Sequence, residues 1–244
     1  MNTTSAWTWF QRIVLAAIPA GILAGFALSA AQQAWVVPLL LEAERHEHAA
    51  VAHVHASGAQ ETPEWEPAAG LERSAFTWLA NAVLGSGWAL LLAAAWAWRA
   101  APLTAVRGVL WGLAGFAAFS LAPALGLPPT LPGAPEAPLA ARQAWWLAAA
   151  LGTALGLGLL VFAKPLAWRL LGLAVLVAPH AVGAPKAGEP LPDALVALAP
   201  RFAIASVACT LGFWLLLGAL AGWLWSRPHP AAPRGAASRR VGAA

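Results

Sequence analysis

The stretch Leu41–His55, "LEAERHEHAAVAHVH", concentrates side chains that could hold a metal. It carries four of the chain's six histidines and three of its ten acidic residues. On a helix, Glu42 and His46 share one face, and so do Glu44 and His48, each pair being i and i+4. His53 and His55, two apart, fall on one side of an extended segment. Carboxylate with imidazole is a donor set for Co, Ni or Zn, and ligand type alone does not choose among them. Imidazole binds metal in its neutral form, so acid would weaken capture. The competing reading is a solvated loop that happens to be rich in histidine, and spacing leaves both open. A zinc-protease helix is excluded: an H-E-x-x-H pattern starting at His46 needs histidine at position 50, which is Ala50.

The elements that must position these groups are membrane helices. The 244 residues are 60% hydrophobic and only 10% charged, against about a quarter charged in soluble domains, and the mean hydropathy is +0.68. The apolar residues fall in blocks at roughly 13–41, 74–98, 106–125, 144–163, 166–184 and 202–225, most of them near the length of about 20 residues that crosses a bilayer. Their Ala, Leu, Gly and Trp content lacks the alternation of barrel strands. The expected fold class is therefore all-α, a polytopic bundle of six transmembrane helices, with five as the fallback if the fourth and fifth merge. Residues 1–225 form the transmembrane domain with an outer His/Glu-rich loop at 42–73, and the basic tail 226–244 is expected to be disordered and cytoplasmic. The first block is read as a retained helix, because its apolar character runs to Leu41, beyond a signal-peptide core.

Charge placement sets the expected orientation. With six spans and the N-terminus inside, inner segments hold nine Lys and Arg residues and outer segments five, as the positive-inside rule requires. The net charge of +4 is thereby explained without nucleic acid, whose electrostatic footprint is missing. Tryptophans near span ends, such as Trp96 and Trp98, Trp145 and Trp146, and Trp223 and Trp225, read as interface anchors. Gly21–Gly25, Gly108–Gly112 and Gly152–Gly156 have the spacing that lets helix backbones approach closely. The single cysteine, Cys209, reads as a small core residue.

Polar residues inside spans are costly and so carry information. Gln32, Gln33 and Asn81 are candidates to line a translocation pathway, together with Arg142 and Gln143 at the start of the fourth span, which could pair with Glu72, Glu136 or Asp193. His180 follows Pro179, which frees a backbone carbonyl one turn earlier for an ion, although a hydrogen-bonded helix-end histidine is the plainer reading. No nucleotide loop, nucleophile elbow or CxxC pair occurs, so no enzyme is expected.

Five blocks in order, "QQAWVVPLLLEAE" (32–44), "GLERSAFTWLANAVLGSG" (70–87), "LWGLAGFAAFSLAPALGLPPTLPG" (110–133), "RQAWWLAAALGTALGLGLL" (142–160) and "PHAVGAP" (179–185), resemble the CbtA family. The resemblance implies a subunit of a bacterial cobalt transporter associated with cobalamin. It also implies a partner, the small one-helix, histidine-bearing CbtB, and it raises Glu42, Glu44, His46 and His180 as metal-contacting positions. One departure is Thr130, where the family pattern commonly carries Glu. The resulting expectation is a multi-pass bacterial inner-membrane subunit for uptake of cobalt or another divalent transition metal. Cobalt is then cargo, no tightly bound cofactor is expected, and homo-oligomerisation is left open. The alternative is a membrane metal-binding or assembly factor that hands metal to a partner without translocating it.

Overall fold

A computed structural model describes residues 3–54, 67–68, 70–99 and 104–227, with side chains outside 3–9, 12 and 47–54. Among these residues the fold is all-helical: α1 (Thr3–Trp35), α2 (Val37–Val54), α3 (Leu71–Arg99), α4 (Ala105–Phe116), a π-helical turn (Ala117–Leu121), α5 (Ala122–Gly126), α6 (Leu139–Phe162), α7 (Leu166–Val182), the single turn α8 (Asp193–Val196) and α9 (Leu198–Ser226). Residue 55 and the tail 228–244 lie outside the described residues.

Five helical stretches are long and apolar enough to cross a membrane: Ile13–Trp35, Leu71–Arg99, Ala105–Gly126, Leu139–Phe162 and Asp193–Ser226. The remaining apolar helix, α7, has 17 residues, the short end of the range that spans a bilayer. The expected first block, 13–41, is divided at Val36 into α1 and α2. Pro38 has no N–H to give the Ala34 carbonyl and its ring crowds that carbonyl, which weakens the ladder there. A similar proline effect accompanies the π turn: Pro123 cannot close a bond to Phe119, and the helix widens in the turn just before it.

Close helix contacts are made through glycine. A Cβ on Gly108 would lie 2.0 Å from the Gly218 carbonyl oxygen, and one on Gly112 would lie 2.2 Å from that of Trp214, so α4 and α9 touch backbone to backbone. Gly21 and Gly25 play the same part between α1 and α3, and Gly152 and Gly156 between α6 and α7. All three spaced glycine pairs expected from the sequence thus sit at helix crossings, where close approach and dispersion replace the hydrophobic driving force that lipid removes.

The main core joins α1, α3, the α4 region and α9. The alanine face of α1 (Ala16, Ala17, Ala20, Ala24) lies against Phe213, Leu217 and Trp214. The reading of the tryptophans as interface anchors is corrected in part: Trp98 is 88% exposed, but Trp96, Trp145 and Trp225 are at most 8% exposed. Their rings occupy space that small residues leave open. Gly115 lies under the Trp214 ring and Gly126 under that of Trp145, while Trp214 Nε1 donates to Ser120 Oγ at 3.0 Å.

The two ends of the bundle differ in charge. At one end, the Arg99 guanidinium stacks 3.8 Å from the Phe162 ring and Arg169 Nε donates to the Ala163 carbonyl. Arg227 lies over Trp223 at that end too, where Gly222 of α9 meets the Thr104 carbonyl at the start of α4. The opposite end carries α2, the start of α3, the proline-rich segment 127–138 and the segment 183–192.

Candidate functional site

A polar ladder runs along the crossing of α1 with α3. Asn81 Nδ2 donates to Ser29 Oγ at 2.9 Å and to Gln32 Oε1 at 2.7 Å. Nearer the α2 end, two turns before Asn81 on α3, Ser74 Oγ accepts from Gln33 Nε2 at 3.2 Å. Beyond it, Arg73 holds Glu44 of α2 through both guanidinium Nη atoms, Nη1 to Oε2 at 3.0 Å and Nη2 to Oε1. Thr77 bonds to the Arg73 carbonyl, so Arg73, Thr77 and Asn81 make one stripe at i, i+4 and i+8. From Arg73 to Asn81 the stripe rises about 12 Å.

Close packing makes the ladder possible. A Cβ on Gly25 would lie 2.3 Å from the Asn81 carbonyl oxygen, and one on Gly21 2.3 Å from Ser86 Cα. Only because α3 comes this near can a side chain as short as asparagine reach across to both Ser29 and Gln32. Ser29 is fully buried and also donates to the Gly25 carbonyl, so the carboxamide of Asn81 is matched to groups that would otherwise be unsatisfied in hydrocarbon.

On α2 the metal candidates divide between two flanks. Ala43 is fully buried, packed with Val36, Leu195 and Phe202. Glu42 and Glu44 lie about 100° to either side of it. Glu44 turns to Arg73 of α3, whereas His46 follows Glu42 at i+4 on the other flank. Glu42 is half-buried and His46 exposed, and no hydrogen bond or ion pair joins either side chain to other described residues. Glu42 and His46 are thus an available pair of donors, and Glu44 is already engaged by a cation. His48 and His53 belong to α2, but their side chains, like all of His55, lie outside the described residues.

The remaining candidates sit in the other half of the bundle. His180 is half-buried, its ring edge-on to Trp145 at 5.6 Å, and Trp145 Nε1 donates to the Pro179 carbonyl at 3.1 Å. The carbonyl freed by Pro179, that of Val175, is covered: a Cβ on Gly152 would lie 3.0 Å from it. Arg142 pairs with Glu136 at 2.6 Å, and Glu136 also accepts from Thr130 Oγ1 at 2.6 Å. This chain therefore keeps a carboxylate beside Thr130. Arg142, Gln143, Glu136 and Lys186 line a cavity of about 760 Å³ at the α2 end of the bundle. Two cations and one already paired carboxylate give that cavity a positive balance, which does not suit a bare divalent cation. Among the described residues no three His, Cys, Asp or Glu side chains come together to hold a metal ion.

Ser29, Ser74 and Arg73 as partners of the candidates escaped the sequence reading. The available signal was the four-residue spacing of Arg73, Thr77 and Asn81, which puts polar groups on one stripe of an otherwise apolar helix. The Arg73–Glu44 pair has a testable consequence. Arg73→Ala is expected to raise amide hydrogen exchange several-fold across residues 37–46 while leaving the middle of α3 protected. Unchanged exchange over 37–46 would show that the apolar contacts of Val36 and Ala43 alone fasten α2.

No curated protein and no solved structure matches the chain significantly. A family model described as "Probable cobalt transporter subunit (CbtA)" matches residues 10–226, which include every residue of the polar ladder. With that match covering most of its length, and with several membrane-length apolar helices packed as described, the chain belongs to the CbtA family of probable cobalt transporter subunits.

Proposed function

We propose that this chain is the membrane subunit of a cobalt uptake system in the bacterial inner membrane, with Glu42 and His46 as the entrance for the ion. The observation that carries the reading is the ladder of Asn81, Gln32, Gln33 and Ser74, which leads from the Glu42 end of the bundle into the apolar interior. In this reading the ion exchanges water for Glu42 and His46, then for amide and hydroxyl oxygens along the α1–α3 crossing. Glu44, held by Arg73, contributes when the ion displaces the guanidinium, so the first carboxylate captures and the second admits. His180 lies off this route and serves the α6–α7 half.

Two side chains of α2 do not complete the coordination of a transition metal. The remaining ligands come from water, from residues 47–66 with their further histidines, or from a partner. A CbtB-like one-helix subunit bearing histidines fits that requirement. The orientation that goes with this reading has six crossings with both termini inside. It sets Arg99, Lys164, Arg169 and Arg227 on the cytoplasmic side and the Glu42 entrance on the outer face.

Reconstitution tests the reading. Proteoliposomes containing the full chain with its one-helix partner are expected to accumulate labelled cobalt in the lumen, and Asn81→Ala should slow entry. If labelled cobalt binds at the surface yet none reaches the lumen with or without the partner, the chain is a metal-delivery factor and not a permease.

A further inference from the structure

Near the bundle end that carries α2, the tight packing of α1 on α9 opens into a lateral groove of about 690 Å³. Buried Cys209 and Phe213 form its floor. Its walls are mostly small residues, among them Ala31 and Ala205, too short to close the gap. Gly212 faces open space: a Cβ there would meet no atom within 4 Å. The one charged residue lining the groove is Arg201. It is exposed, and no hydrogen bond or ion pair joins it to other described residues.

The dimensions match one leaflet. Along α9 the groove runs from Arg201 to Phe213, and along the opposing chain from Leu39 back to Ala27. Each is a run of about 18 Å, against about 15 Å for half the hydrocarbon core. The cation therefore stands at the rim and the apolar lining reaches toward the midplane. Trp35, 64% exposed, flanks the rim at the level where tryptophan meets lipid headgroups.

We propose that this groove is a phospholipid site, with the lipid phosphodiester paired to Arg201 and one acyl chain laid between α1 and α9. A guanidinium at the rim of the hydrocarbon extends to the level of the lipid phosphates, and phosphate accepts its N–H donors in a bidentate fork. The acyl chain supplies the dispersion contacts that an empty groove between small residues forfeits. The volume lies within the range of sites for single organic ligands. Zwitterionic and anionic phospholipids share the phosphodiester, and the experiment separates them. The inference is independent of the metal reading.

The test uses the full chain, delipidated in mild detergent and titrated with dioleoyl phosphatidylglycerol, dioleoyl phosphatidylethanolamine and phosphate-free dioleoylglycerol. Bound lipid is read by native mass spectrometry. One phospholipid per chain is expected, with dioleoylglycerol at least about tenfold weaker. Arg201→Ala should weaken both phospholipids about tenfold, the scale of a lost charge-assisted bond. Gly212→Leu should do so by filling the groove without lowering the melting temperature. A preference for phosphatidylglycerol assigns an anionic lipid, and equal binding assigns the phosphodiester itself. The site is refuted if wild-type protein retains no phospholipid, if dioleoylglycerol binds as well, or if both variants bind lipid unchanged. It is equally refuted if no lipid binds and Gly212→Leu instead changes the oligomeric state, which would make the groove a contact between copies.

Discussion

Glu42→Ala is expected to lower cobalt accumulation in cells by about tenfold to a hundredfold at every external concentration, without loss of folded protein. The magnitude follows from ligand arithmetic: even outer-shell partners of a metal are worth about 10–100-fold in affinity or activity, and Glu42 is proposed both to capture the ion and to pass it inward, so excess metal should not restore uptake. The fold should tolerate the change, because no hydrogen bond or ion pair ties Glu42 to other described residues, and Ala43 beside it supplies the buried contact of α2. Glu44→Ala should behave differently. It removes the carboxylate that Arg73 grips as well as a candidate ligand, so loss of uptake is expected together with looser attachment of α2. Deleting residues 49–55 should weaken uptake mainly at low metal if their histidines, as we propose, only gather metal for the Glu42 entrance. Labelled-cobalt uptake against concentration, with protein quantified in the membrane, distinguishes these patterns. Wild-type accumulation in Glu42→Ala would remove the proposed entrance.

Composition and spacing reveal the parts of this molecule that depend on one helix at a time. Apolar blocks gave helices whose ends mostly shifted by a few residues, and glycine pairs at i and i+4 marked three real crossings. Gln32, Gln33 and Asn81 stood out because polar groups are expensive in hydrocarbon. Which of them meet could not be read, because the register of α1 against α3 is a tertiary property set by Gly21 and Gly25. The same limit hid the Arg73–Glu44 pair, whose members are 29 residues apart across the segment 55–70. Tryptophan was misread for a related reason. An amphipathic ring near a span end satisfies the interface rule in isolation, but Trp96 and Trp225 find each other across α3 and α9, edge to face at 5.9 Å. The break at Val36 was visible only as Pro38, a residue that membrane helices often absorb without dividing.

Gly25→Ala is expected to lower stability by about 1–3 kcal/mol, the scale of an overpacked contact, because the added methyl would stand 2.3 Å from the Asn81 carbonyl oxygen. That atom belongs to backbone and cannot swing aside as a side-chain tip would, so α1 and α3 must separate. Gly158→Ala is the matched control: its Cβ would meet nothing within 4 Å, and exchanging glycine for alanine in a helix gains up to about 1 kcal/mol. Separation of α1 from α3 has a second consequence, since Asn81 reaches Ser29 and Gln32 across the same crossing. Asn81→Ala should therefore cost less in the Gly25→Ala background than in the wild type, with a coupling of about 0.5 kcal/mol or more. Unfolding in mixed micelles for the two single variants and the double variant measures this. Strict additivity would show that the polar ladder forms without the glycine contact, and the proposed route for the ion would then not depend on how closely these two helices approach.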